Sequence, residues 1–294
     1  MVFVVDGPFT FVSPTNNQAD DIAVCQSGAV IQFLVNGTVV STRTAAGLTR
    51  LTVTGESGFV DQLSVNFSGV NLIPSGGLVF NAGTDLNDTV SLGFSTADAV
   101  NHTSNAAGQN RDDIINGTVT STVLYPSQLQ IYEAMTAASR TFTLTEQRDQ
   151  VSLEGDTAGF AYTRLYYGQR YFEFPDPTNR LVIQGRGGKD SVDVGILSQP
   201  FAELAIEGGT KTDSIQVSSS LTGLASLALT AESISLAGTT YATVGSQAYT
   251  GNVAFQSNVV FATTGTAGLT FFGTVNGAHD IVLNIPAHQN LWVD

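Results

Sequence analysis

The sequence predicts an all-β fold, a right-handed parallel β-helix with irregular insertions, and three observations lead to it. Short apolar runs alternate with polar residues at the period of a strand. Gly, Asn and Asp, the residues that tolerate tight corners, separate the runs. One pattern also returns at a fixed spacing. Leu181-Val182-Ile183-Gln184-Gly185 followed by Asp190-Ser191-Val192-Asp193-Val194 comes back as Leu204-Ala205-Ile206-Glu207-Gly208 followed by Asp213-Ser214-Ile215-Gln216-Val217, with every matched position 23 residues on. Leu227-Ala228-Leu229 lies a further 23 residues along and leads into Ile234-Ser235-Leu236. A constant offset means one unit stacked on copies of itself. At roughly 3.3 Å per extended residue, such a unit closes a coil of two or three strands plus corners. An antiparallel β-sandwich, the alternative, accounts for the alternation and the turns but not for the fixed offset.

A looser version runs earlier in the chain. Leu51-Thr52-Val53-Thr54-Gly55 precedes Asp61-Gln62-Leu63-Ser64-Val65, and Leu78-Val79-Phe80-Asn81 precedes Asp88-Thr89-Val90-Ser91-Leu92, at an offset of 27. Near the end, Val259-Val260-Phe261, Leu269-Thr270-Phe271-Phe272 and Ile281-Val282-Leu283 keep short apolar runs between Gly-, Thr- and Asn-rich corners. The expected division is N-terminal coils over 1–95, an insertion over 96–140 and C-terminal solenoid coils over 141–294. Within the insertion, the polar stretch 97–116 reads as a long loop or a lateral excursion, and propensity favours a short helix over 128–139. The chain opens and closes in β-like sequence, Val2 to Val5 and Leu291 to Asp294, as expected of a piece of a longer polypeptide.

Composition narrows the function. Apolar residues make up 42% and charged residues only 12% of the chain, so its polarity comes from hydroxyls and amides. A net charge of −14 with two lysines, Lys189 and Lys211, argues against a nucleic-acid partner, whose phosphates are held by Lys and Arg. No apolar run approaches the ~18 residues that cross a bilayer, so membrane insertion is not expected. Cys25 is the single cysteine, which excludes an internal disulfide and gives a small core-filling residue as the expectation. There is no Gly-x-Ser-x-Gly elbow and no His-Glu-x-x-His, and Gly188-Lys189 is followed by Asp190 where a phosphate loop needs Ser or Thr.

The units Leu181 to Val194 and Leu204 to Val217, with the phrase Val65-Asn66-Phe67-Ser68-Gly69 and Ile73-Pro74-Ser75-Gly76-Gly77-Leu78, resemble the Gly- and Asp-rich repeats of giant planctomycete-type secreted proteins. The tail Thr264 to Asn284 is similar to filamentous-haemagglutinin-type adhesins, whose coils share its Gly-Thr, Leu-Thr-Phe, Gly-Thr-Val, Asn-Gly rhythm. The resemblance covers about two thirds of the chain. It implies an extracellular or cell-surface β-helix with a structural or adhesive role, self-associating end to end or joined to neighbouring repeats of a longer chain.

Two candidate sites follow. The calcium-binding nonapeptide Gly-Gly-x-Gly-x-Asp-x-apolar-x is partly kept by Gly185, Gly188, Asp190 and Val192, and again by Gly208, Gly209, Asp213 and Ile215. Each unit holds one copy, and Arg186, Lys189 and Lys211 sit where a cation would, so Asp190 and Asp213 read better as corner caps than as calcium ligands. At this offset they stack one above the other, which raises a carboxyl pKa. The run Tyr162, Arg164, Tyr166, Tyr167, Arg170, Tyr171, Phe172 is the candidate ligand surface, because aromatic faces and Arg serve glycan or protein recognition. Alternation would bury half of these residues. The expected role is non-enzymatic; the alternative is a carbohydrate-active β-helix enzyme, a polysaccharide lyase or hydrolase, or a glycan-binding module.

Overall fold

The computed structural model describes residues 7–67, 73–83, 87–94, 96–105, 108–156, 161–168, 170–197, 203–265, 268–286 and 291–293. The runs Val2 to Val5 and Ser68-Gly69 lie outside them. The fold is all-β, 65% strand with no helix among the described residues, and its strands pair mostly in parallel. Two compact units divide the chain: Met1–Ala137 with Gln169–Phe174, and Ala138–Gly168 with Pro175–Asp294.

The first unit stacks its strands in two parallel columns. In one, Gly7–Val12, Leu48–Thr54, Leu78–Asn81 and Val119–Pro126 place Phe9, Leu51, Leu78 and Val123 in line. In the other, Asp21–Ser27, Gln62–Phe67, Thr89–Phe94, Gln130–Glu133 and Arg170–Pro175 align Ile22, Leu63, Val90, Ile131 and Phe172. All five of these last side chains are buried, as a strand that hides one face requires.

Two antiparallel meanders leave this stack. Asp21–Ser27, Val30–Val35 and Thr38–Thr44 form one. Thr96–Ser104, Gln109–Asn116 and Val119–Pro126 form the other. The stretch 97–116, expected as a long loop or a lateral excursion, is an excursion of two paired strands and not a loop. Its inward positions carry His102, Ser104, Asn110 and Asp112, all buried, and polar residues at core positions hid the alternation.

The expected helix over 128–139 is also absent. Gln130–Glu133 and Thr136–Thr143 are strands in its place. Gln130 to Glu133 pair residue by residue with Thr89 to Leu92, and ladder pairing outweighs a helix propensity worth tenths of a kcal/mol per residue. Cys25 is half-buried on the face opposite buried Val24, so it does not fill the core.

The second unit shows the predicted register directly. Leu181 pairs with Leu204 and Leu204 with Leu227, all three fully buried, and the column continues through Gln247 and Leu269 to Leu291. A second column aligns Val151, Val192, Ile215, Ile234, Val253 and Val275. A third, in a separate sheet, aligns Leu221, Tyr241, Phe261 and Leu283. Gln247, buried where its neighbours are Leu, is accommodated by hydrogen bonds. Its Nε2 donates to the carbonyls of Tyr241 and Ala262, and its Oε1 accepts from the Tyr249 hydroxyl.

Each column needs something to fix its rungs in register, and buried aspartates at the corners supply it. The Asp20 main-chain N–H donates to Asp61 Oδ1 at 3.0 Å, and that of Asp61 to Asp88 Oδ1 at 2.7 Å. In the second unit Asp149 donates to Asp190 at 2.9 Å, Asp190 to Asp213 at 2.8 Å, and Asp213 to Glu232 Oε2 at 2.8 Å. Each carboxylate thus caps the backbone of the adjacent rung as well as filling its own corner. Glycine precedes Asp61, Asp190 and Asp213 where a Cβ has no room: on Gly55 it would come 2.2 Å from Asp61 Oδ2, on Gly185 1.8 Å from the Gly208 carbonyl oxygen and 2.7 Å from Asp190 Oδ2, and on Gly208 2.6 Å from Asp213 Cβ.

Desolvation pushes the Asp61 carboxyl above its ordinary range. Burial, then the neighbouring Asp149, Asp213 and Glu146 charges, push Asp190 up to about 6 against the backbone hydrogen bond that lowers it. A carboxyl with a raised folded pKa contributes stability that is complete below its unfolded value, about 4, and is lost as pH rises through 6. The melting temperature of wild type should therefore fall relative to that of Asp190→Asn as pH rises from 4 to 7; a constant difference would contradict the buried charge. Asp190→Ala strands the buried Asp149 N–H and should cost about 1–3 kcal/mol in urea unfolding.

Candidate functional site

The richest polar constellation lies inside the first unit. Antiparallel pairing of Thr96–Ser104 with Gln109–Asn116 sets His102 directly opposite Asp112. The next strand places Tyr125 opposite Asn110, one same-face position from Asp112. Glu133 comes from the rung strand Gln130–Glu133, and Phe172 lies edge-on to the His102 ring, 5.2 Å between centroids.

Distances within the cluster are short. His102 Nδ1 is 2.6 Å from Asp112 Oδ1, and its Nε2 is 3.3 Å from Glu133 Oε1. The Tyr125 hydroxyl donates to Asp112 at 2.8 Å to Oδ2 and 2.9 Å to Oδ1. Burial raises the Asp112 pKa, with the His102 charge and hydrogen bond working against it. Burial and the adjacent Asp112 carboxylate hold the Tyr125 hydroxyl well above its usual range, so it remains a donor. Both ring nitrogens of His102 face carboxylate oxygens, and only the imidazolium donates from both.

His102, Asp112 and Glu133 offer one nitrogen and two oxygens within 4.8 Å of one another, which is a metal-ligand donor set. The ring presents a different nitrogen to each carboxylate, Nδ1 to Asp112 and Nε2 to Glu133. His102, Asp112 and Glu133 are each no more than 3% exposed, so no substrate reaches them. The arrangement fastens a meander to a rung through charge and hydrogen bonds.

The residues singled out from the sequence are dispersed among other tasks. In the second unit Tyr167 is buried, and its hydroxyl donates to Asp149 Oδ1 at 2.5 Å, joining the aspartate column. Tyr162 and Tyr166 are half-buried and Arg164 is exposed. In the first unit Phe172 is buried against His102, Arg170 is half-buried, and the half-buried Tyr171 hydroxyl contacts that of Tyr132. Asp190 and Asp213 are buried, each with Oδ1 accepting from a backbone N–H and Oδ2 turned inward. The sequence reading missed His102, Asp112, Tyr125 and Glu133. The available signal was polar residues at inward positions of alternating strands, Val100-x-His102-x-Ser104 and Asn110-x-Asp112-x-Ile114.

The second unit carries an open cleft of about 260 Å³ lined by Gln150, Val151, Ser152, Tyr166, Gly168, Ser191 and Asp193. Register explains it: Tyr166 lies opposite Ser152, and Ser152 beside Asp193, on the outward face of three adjacent strands. Fold and site together define a repetitive all-β protein of parallel stacked rungs with a sealed internal polar cluster. No protein-family model, curated protein or solved structure matches the chain.

Removing His102 would take away the imidazole that contacts both buried carboxylates. His102→Ala should lose about 3–5 kcal/mol in urea denaturation, as for other broken buried ion pairs. A loss under about 1 kcal/mol, the range of exposed pairs, would mean that the cluster is not held by charge.

Proposed function

We propose that this chain is a structural or adhesive segment of a bacterial extracellular or cell-surface protein, built as a right-handed parallel β-helix. The observation that carries the reading is where the titratable groups are placed. The buried carboxylates and His102 are engaged in joining rung to rung or meander to rung. What faces solvent in the second unit is largely Ser, Thr, Gln and Asn on regular strands, a surface suited to lateral contact. Low charge, few lysines and Gly- and Asp-punctuated repeats support an extracellular setting through the adhesin and secreted-repeat resemblance.

Glycan binding is the second reading, and the cleft at Tyr166 favours it. An aromatic ring beside Gln150, Ser152, Ser191 and Asp193 pairs an apolar platform with donors and acceptors for hydroxyl groups.

One panel of polysaccharides separates the readings. Incubation should produce neither new reducing ends nor unsaturated ends. Turnover that Asp193→Asn abolishes would overturn the structural reading in favour of an enzyme. Retardation in affinity electrophoresis that Tyr166→Ala abolishes would establish the second reading.

A further inference from the structure

The cleft beside Tyr166 is one end of a longer feature. Val151, Val192, Ile215, Ile234 and Val253 are buried in the core of the second unit, so alternation sends their neighbours on each strand to the outward face. Parallel register stacks those outward residues in two rows. One row is Gln150, Ser191, Ser214, Ser233 and Asn252, and the other begins Ser152, Asp193, Gln216 and Ser235. All of them are exposed or half-exposed. Tyr166, on the antiparallel strand Tyr162–Tyr167, lies opposite Ser152 and stands at the head of the second row.

The chemistry of the rows is narrow. They hold hydroxyls, carboxamides and a single carboxylate, Asp193, whose Oδ1 accepts from the Ser218 hydroxyl at 2.6 Å. Neither row contains Lys or Arg, and Arg164, on the strand of Tyr166, is set opposite Glu154. Among the described residues the side chains of Gln150, Ser191, Ser233 and Ser235 have no hydrogen-bond partner, so their donors and acceptors are open to a ligand. An anionic polymer would meet no countercharge on these rows, and a protein partner no aromatic anchor beyond Tyr166. A polymer of uncharged hydroxyls finds what it needs: a ring to stack on and a repeating line of donors and acceptors.

We propose that the two rows are the binding track of a neutral, extended polysaccharide, which starts at the Tyr166 cleft and lies across the strands along the stacking direction. This rests on the glycan reading given above and adds the ligand's charge, length and orientation. Orientation follows from spacing. Neighbouring strands are about 4.8 Å apart, so a pair of polar side chains recurs at each step along the stack, as hydroxyls recur from sugar to sugar along an extended chain. A ligand laid along one strand would leave the rows after two residues. The cleft, about 260 Å³, has room only for the leading end of such a chain. Ser233 lies three strands beyond Gln150, about 14 Å away, and affinity therefore accumulates with chain length.

Titration calorimetry tests the track with β-linked oligosaccharides of glucose, xylose, mannose and galactose, from disaccharide to hexasaccharide, and with polygalacturonate and alginate as acidic controls. The expected result is that at least one neutral series binds, tightening about tenfold or more from disaccharide to hexasaccharide, and that neither acidic polymer does. Ser214→Arg with Ser233→Arg, both at exposed positions on the track, should abolish that gain while leaving disaccharide binding and the melting temperature unchanged. Tyr166→Ala should abolish binding at every length. Affinity independent of length, a gain that survives the double substitution, or equal binding of the acidic polymers would each overturn the track and leave a glycan site at the cleft. Silence throughout the neutral and acidic series would overturn the track and the glycan reading together.

Discussion

Parallel stacking in strict register is the constraint on which everything else in this protein depends. A rung buries one face of each strand only if the rung above presents apolar side chains at matching positions, so a slip of one residue would turn every core side chain to solvent. Hydrophobic burial therefore opposes a one-residue slip, but a slip of two residues keeps the same faces inward and is less penalised. The buried aspartates fix the register further, because each Oδ1 accepts from one particular backbone N–H on the adjacent rung. The column combines a nonspecific driving force with a specific lock, and the lock's cost shows in the raised pKa of Asp190. Glycine at 185 and 208 belongs to the same device, since a side chain at 208 would collide with Asp213 and one at 185 with the Gly208 carbonyl of the next rung and with Asp190.

The meanders obey a different logic. A strand leaving the stack must still satisfy its backbone groups, and antiparallel return is the short route to doing so. The inward face of the second meander meets a mixed environment, and its polar side chains are paired there in a network: His102 between Asp112 and Glu133, with Tyr125 on Asp112. Buried ion networks add little net stability compared with apolar packing, but they penalise misplacement heavily. Here that penalty fixes how the excursion sits on its own rung.

Function, on this account, is a matter of surfaces. Groups with perturbed pKa values often mark catalytic sites, yet Asp112 and Asp190 are buried and each accepts hydrogen bonds that hold the fold together. The regular outer face and the cleft beside Tyr166 are what the described residues offer to partners.

The sequence by itself determined the strand content, the 23-residue register of Leu181, Leu204 and Leu227, and the stacking of Asp190 on Asp213, because alternation and repeat spacing are written in order along the chain. The tertiary structure decided what had no such order. Strand or helix at 128–139 depended on a ladder with residues 89–92, about 40 positions away. The polar cluster joined residues of four successive strands only once these had paired, and inward polar residues at 102, 104, 110 and 112 erased the alternation that would have revealed those strands. Which aromatic residues of the run 162–172 stayed accessible depended on what packed against them: Tyr167 went to Asp149 and Phe172 to His102. Periodicity is a local property that one strand carries alone, whereas burial and charge pairing belong to the contacts it makes, and those exist only once the rungs are stacked.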